Sequence, residues 1–245
     1  MTAPDTTPAP APEAPARIPF VTDLLNLLKV LFSPGEVFAE QREKPTVWIP
    51  WLVVSILMVG ATFFNAPFIR FGARLAVEAR GQPAPPGIEN IAVFSQVVAI
   101  PIVMLVAIAI SAGIMYLVLL AAGGEARYKG LMCVSTFSAI VGVIMMLLTV
   151  VVLRLRGLEE VRSVSDLQVS FGLDLLMSQD ATLPAFLMGL LRGVTPFSIW
   201  SLVITAIGVQ KVEKQSSGAA WSAAVVSALV MLVVGALFAG LGGAR

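Results

Sequence analysis

The chain has 245 residues, of which 58% are hydrophobic and only 13% charged, with a formal net charge of +1 and a mean hydropathy of +0.91. A soluble domain of this size carries charge on about a quarter of its residues, so the composition excludes an ordinary water-soluble globule, and near-neutrality gives no basic surface for a nucleic-acid partner. The 16 basic and 15 acidic residues all lie outside five uncharged windows, 45–69, 90–124, 130–153, 193–210 and 215–244.

A helix crosses the roughly 30 Å hydrocarbon core with about 20 apolar residues, and each window reaches or approaches that length. In lipid every backbone N–H and C=O must be paired within the protein, and continuous apolar runs without two-residue alternation select helices over a barrel. The expected fold is therefore an all-α integral membrane protein with five transmembrane helices, preceded by interfacial amphipathic helices. Residues 1–19 form a Pro/Ala-rich tail, 20–44 the interfacial helices, 45–241 the membrane domain and 242–245 a short C-terminal tail. The crossings are expected at about 47–66, 98–121, 131–153, 194–210 and 220–241.

In chain order, residues 1–19 hold six prolines among alanine and threonine, a composition that predicts disorder. They show neither the basic start nor the apolar run of a signal peptide, which leaves targeting to the first membrane helix. From Phe20 to Phe32, Thr22, Asp23, Asn26 and Lys29 gather on one helical side and leucines, valines and phenylalanines cover the rest, which predicts a helix lying at the membrane face. Ser33-Pro34-Gly35-Glu36 reads as a capping box with proline at the first helical position, opening a second short helix through Arg42. Trp48 and Trp51 stand where the first crossing starts, as in an interfacial aromatic belt.

The second window is too long for one crossing, and Pro101 is expected to divide or kink it. Between Arg154 and Leu183 runs the longest polar connection, whose Leu158, Val161, Val164, Leu167, Leu173, Leu175 and Leu176 suggest short amphipathic surface helices or a mobile loop. Residues 183–191 are apolar but too short to cross; Arg192 and the fourth crossing follow. Basic residues divide evenly between the two sides, but the shortest loops carry Arg127, Lys129, Lys211 and Lys214, which places the amino terminus in the cytoplasm of an inner-membrane protein.

Chemistry is sparse. The chain has no histidine, which removes the usual general base and the commonest zinc ligand, and no acid stands inside any uncharged window. Cys133 is the single cysteine and reads as a small core residue. No catalytic residue, cofactor or metal site is expected, and the chain is not read as an enzyme. The candidate interaction or lipid residues are Lys29, Arg192, Phe197 and Trp200. Arg192 stands between apolar stretches, either as an anchor for an anionic group or as an interfacial arginine whose stem snorkels. Small residues four apart, Gly189 and Gly193, and Gly235, Ala239 and Gly243, permit close helix packing within the chain or with a second copy.

Three stretches together resemble one family. They are Phe32-Ser33-Pro34-Gly35-Glu36-Val37-Phe38 ahead of the first crossing, Gly123-Gly124-Glu125-Ala126-Arg127-Tyr128-Lys129-Gly130 between the second and third, and Pro196-Phe197-Ser198-Ile199-Trp200 opening the fourth with Lys211 to Lys214 behind it. In order and spacing the chain is similar to the prokaryotic branch of the YIP (Ypt-interacting protein) family over about residues 24–240. The resemblance implies five crossings, a cytoplasmic amino terminus and a non-catalytic role in membrane organisation or trafficking through membrane lipids, other membrane proteins or a second copy of itself. The acidic Asp-Leu-Tyr-Gly-Pro type segment of eukaryotic members is missing, so Rab-type GTPase binding is not carried over. Thr195-Pro196 stands where prokaryotic relatives often place an aspartate, so no ionic role is carried over there. The alternative reading is a small transporter or channel subunit, with Arg192 and the polar line Thr195, Ser198, Ser201 and Thr205 of the fourth crossing along its path.

Overall fold

In the computed structural model, residues 19–177 and 183–243 are described, so the expected tail lies almost wholly outside them, as do residues 244–245. Helices α1 (Pro19–Lys29) and α2 (Pro34–Glu40) lead into α3 (Trp48–Glu78) and α4 (Ile88–Ala121). Next come α5 (Tyr128–Ser138), α6 (Ile140–Arg156), α7 (Ala185–Gly193), α8 (Pro196–Val212) and α9 (Ser217–Gly243). No strand occurs among the described residues. Four stretches, Trp48–Glu78, Ile88–Ala121, Tyr128–Arg156 and Ser217–Phe238, are each long and apolar enough to cross a bilayer. The fifth is composite: α7 and α8 qualify only as a pair, bent by 60° at their junction.

That bent pair carries the chain from one end of the helix bundle to the other, and one ion pair shows it. Arg127, ahead of α5, lies on the side of α1 and α2, hereafter the N side, since its guanidinium donates to the Arg42 carbonyl at 2.8 Å. Glu213, just past α8, accepts from the Arg127 backbone N–H at 2.7 Å. The end of α8 is therefore back on the N side, although residues 157–177 lie on the far side beyond α6. The 60° bend has a local cause. Pro196 disfavours helical geometry in the residue before it, and Thr195 is extended (φ −121°, ψ 161°). Thr195 Oγ1 accepts the Ser198 N–H and Ser198 Oγ accepts the Thr195 N–H, both at 2.9 Å, which starts α8 afresh.

The helices differ in extent from the sequence expectation. Helix α3 runs 31 residues and α4 runs 34, about 46 Å and 51 Å of helix against a core of roughly 30 Å, so the pair overshoots as a hairpin on the far side. Its charged part begins at Arg70, and Arg74 pairs with Glu89 across the two arms. Proline does not divide α4: the helix continues through Pro101, whose carbonyl accepts the Trp51 indole N–H at 3.3 Å. The third crossing is interrupted instead, at Ala139. There Thr136 and Ser138 turn their hydroxyls back to the carbonyls of Met132 and Val134 at 2.7 and 2.9 Å, a bonding mode that bends helices.

One expectation at the N side is corrected. Ser33 makes no side-chain cap bond to α2, although Pro34 occupies the first turn; Glu36 reaches Lys29 at 2.9 Å instead. Helix α1 presents apolar side chains outward, as an interfacial helix does, and turns its polar ones onto the protein. Asp23 and Asn26 are buried, whereas Val21, Leu25, Leu28 and Phe32 point outward, Phe32 at 83% exposure. The prelude is half core: Leu27, Val30, Val37 and Phe38 are fully buried in the main cluster with Phe137, Ile204 and Val209. Helix α2 sits close because Gly208 on α8 has no side chain; a Cβ there would lie 2.9 Å from the Phe38 ring and 2.6 Å from Val134.

The far-side connection forms two single 3-10 turns, Val164–Leu167 and Leu173–Leu176, rather than amphipathic α-helices. Val161, Leu158 and Leu167 pin it to Phe68 and Leu153 in a second, smaller core. Asp166 collects the backbone N–H groups of Arg162 and Ser163 at 2.9 and 2.8 Å and the Ser163 hydroxyl at 2.9 Å, which together hold its carboxyl below the usual aspartate range.

Candidate functional site

Two stretches of the family resemblance, the Gly123–Gly130 turn and the Lys211–Lys214 loop, meet at the N side beside the extension of α2, whereas Pro196–Trp200 opens α8 at the far side. Glu213, whose side chain is 2% exposed, takes the Arg127 N–H on Oε2, with the guanidinium Nε 3.6 Å away. The same guanidinium donates to the carbonyls of Arg42 and Val212 at 2.8 and 3.1 Å, so one arginine ties the end of α2's extension, the loop before α5 and the end of α8. Gly130 makes room for this. A Cβ at that position would fall 1.8 Å from Glu213 Oε1, and Oε1 is buried with no hydrogen-bond partner. Gln215 adds a second tie, donating to the Glu125 carbonyl at 2.6 Å over Gly124. Around this lock lies an open polar cavity of about 840 Å³ rimmed by Arg42, Glu43, Glu125 and Lys214. Lys214 holds φ +54°, a conformation that glycine or asparagine adopts more readily at a helix end.

Beneath α1 is a second polar knot. Thr46 Oγ1 lies 3.2 Å from Asp23 Oδ1 and 2.9 Å from Gln41 Oε1; Gln41 Oε1 also accepts the Thr46 N–H at 2.9 Å and the Cys133 thiol at 3.7 Å. Asp23 Oδ2 is buried without a partner, and burial pushes the carboxyl above its ordinary range despite the Thr46 and Gln41 contacts. Lys29 stands nearby in ion pairs with Glu36 at 2.9 Å and Glu40 at 3.8 Å.

Within the spanning region, hydroxyls join helices. Ser111 of α4 and Ser227 of α9 share a hydrogen bond at 2.9 Å, Ser135 of α5 reaches Ser111 at 3.5 Å, and Thr205 of α8 bonds Ser138 at 3.0 Å. Ser111, Ser198, Ser201, Thr205 and Ser227 line one crevice of about 570 Å³ between α4, α7, α8 and α9. Gly189 and Gly193 let α7 lie against α9; a Cβ would meet Ala236 Cα at 3.0 Å and the Leu232 side chain at 2.2 Å. Gly235 instead opens onto the crevice with nothing within 4 Å, and the side-chain surroundings of Ala239 and Gly243 lie outside the described residues.

Arg192 is not alone at the end of α7. Its Nε donates to Asp174 Oδ2 at 3.2 Å and its guanidinium also bonds Gln168, so the far-side connection supplies its counter-charge. Phe197 stacks edge-on against Phe171 at 5.6 Å, and Trp200 packs half-buried against the main core. The structure thus gathers Arg192 and Phe197 at the far-side break, leaves Trp200 between helices and holds Lys29 on the N side. Sequence reasoning passed over Glu213, Asp23, Gln41 and the serines of α4, α5 and α9. The available signal was a glutamate between two lysines, and hydroxyls recurring in otherwise apolar windows.

Among the described residues no group of three or more His, Cys, Asp or Glu side chains is placed to hold a metal. The fold and its polar contacts define an all-α integral membrane protein in which ion pairs and hydroxyls tie helices to one another. Within that class, the chain belongs to the Yip1 domain family, whose pattern matches residues 28–240, from the end of α1 through nearly all of α9. It is 28% identical over 223 residues, 90% of this chain and 92% of the relative, to a protein of Bacillus subtilis (strain 168) named membrane protein YknW. No solved structure matches the chain.

Proposed function

We propose that this protein is a non-catalytic organiser of the membrane, working by contact with lipid and with other membrane proteins through its N-side surface, in a bacterial inner membrane with that surface in the cytoplasm. The observation that carries the reading is the orientation of α1. Its polar residues are spent inward on the knot around Asp23, and Val21, Leu25, Leu28 and Phe32 form an outward apolar face beside the first crossing. Such a face rests in the headgroup and acyl boundary. The same side presents Arg42, Lys44, Lys129, Lys211 and Lys214, which enter no ion pair among the described residues, against the similarly free acids Glu43 and Glu125. An excess of free cations beside an apolar helix face fits anionic headgroups and the short-loop positive-inside pattern.

The family membership supports a role in membrane organisation or trafficking. The carrier alternative gains less, because Arg192 is engaged by Asp174 and Gln168, and Thr205 is bonded across to Ser138, so these groups hold elements together. Crosslinked pull-down from native membranes tests the proposal, comparing the native chain with a variant in which Leu25, Leu28 and Phe32 are all serine. The expected result is reproducible enrichment of membrane proteins or anionic lipid that the triple variant loses while keeping its thermal stability in detergent. No enrichment, or enrichment indifferent to the three changes, contradicts it.

A further inference from the structure

We infer that the crevice between α4, α7, α8 and α9 holds one acyl chain of a bilayer phospholipid. The site is separate from the N-side surface and depends on the α7–α8 break. Helices α7 and α8 both pack on α9, and the 60° bend between them at Val194–Thr195 sets them at different angles to it, with the crevice in between. Small residues keep the crevice empty of protein: Gly235 has no atom within 4 Å of a would-be Cβ, and Ala224, Ala228 and Ala236 continue the wall along α9.

Size, depth and polarity select the occupant. Along α9 the lining runs from Ala224 to Ala236, thirteen residues rising about 18 Å, comparable in length to the roughly 15 Å depth of one leaflet's hydrocarbon. That interval is centred on Val230, the midpoint of α9, so the crevice lies at mid-membrane depth. The volume of about 570 Å³ falls within the about 300–1,000 Å³ of single-ligand pockets. The polar groups are mostly satisfied by protein: Ser111 with Ser227, Thr205 with Ser138, and Ser198 with Thr195. Only the Ser201 hydroxyl among them has no partner among the described residues, so the wall offers an occupant apolar contact and almost no hydrogen bonding. The mouth is flanked by Ile199 at 56% exposure and Leu229 at 54%, members of the apolar surface that faces lipid, so the crevice is a continuation of the bilayer contact. Water has few partners there, and an unfilled crevice would forfeit the dispersion contacts of its lining.

Native mass spectrometry of the full chain released from mild detergent, with native phospholipids, tests this, using Gly235→Leu to fill the crevice. That side chain enters open space, and leucine is the better helix former, so the variant folds. The expected result is a single phospholipid retained per chain, of mixed headgroup, at least tenfold depleted in G235L, with the melting temperature of the variant unchanged or raised. A native chain carrying no phospholipid, or equal retention in both proteins, overturns the proposal. A dimer of the native chain that G235L abolishes assigns the crevice to a second copy and overturns it as well. Should G235L prove unstable, Ala228→Phe repeats the comparison under the same criteria.

Discussion

The smallest unit that holds this protein together at the N side is the pair Arg127 and Glu213, with Gly130 as the space they need. Glu213→Ala leaves the part-buried Arg127 N–H without its charged acceptor and should cost about 1–3 kcal/mol, read as a lowered melting temperature in detergent. Gly130→Ala should destabilise comparably, because its Cβ displaces Glu213 Oε1. The double variant should then cost clearly less than the sum of the two, since the clash with the carboxylate disappears and only the contact with Val212 Cγ1 at 2.9 Å remains; full additivity would contradict the coupling. Asp23 makes a pH prediction. Its folded carboxyl titrates above the ordinary aspartate value, so the stability gained from the neutral form is fully present below that value and is lost as pH rises through the raised one. Asp23→Asn should therefore melt higher than the native chain at neutral pH, with the advantage shrinking on acidification; an advantage that grows in acid would contradict it. None of this is visible in one-dimensional charge counting. A glutamate flanked by lysines reads as solvated, and only the return of α8 to the Arg127 loop buries it.

At the scale of elements, the apolar windows made the crossings legible, because backbone pairing in lipid leaves helices as the only outcome for uncharged runs of this length. What the windows could not reveal was where helices overrun the hydrocarbon. Helices α3 and α4 continue past Arg70 and before Pro101 because their partner is each other, and the Arg74–Glu89 pair joins the overshoot. The amphipathic pattern of α1 was legible as a pattern but not in its direction: which side faces inward depends on Gln41 and Thr46 arriving from well beyond Asp23 in the chain, Thr46 from 23 residues away. Helix α2 is the test of this level. Phe38 is fully buried, edge-on to Phe137 at 6.0 Å and seated over Gly208. Phe38→Ala should cost about 3–5 kcal/mol and Gly208→Ala about 1–3 kcal/mol. In both, hydrogen exchange should accelerate first in residues 19–44; protection unchanged there would mean that α2 is not docked as described.

For the whole molecule, the composite crossing decides the topology, because a pair of short helices bent by 60° can traverse the membrane or return to the side it left. The Arg127–Glu213 pair brings the end of α8 back to the N side of the bundle, which favours traversal and, with it, opposite sides for the two ends of the described chain. The native chain suits a direct measurement, since its single cysteine, Cys133, is fully buried. Single cysteines introduced for Glu43, Gln82, Ser163 and Gly218 in intact cells, probed with a membrane-impermeant maleimide before and after permeabilisation, read the side of each loop. Glu43→Cys and Gly218→Cys should label together, and Gln82→Cys and Ser163→Cys should label together from the opposite side. If Gly218→Cys labels with Ser163→Cys, helices α7 and α8 form a re-entrant loop, and the five-crossing architecture on which both the N-side surface and the lipid crevice depend is wrong.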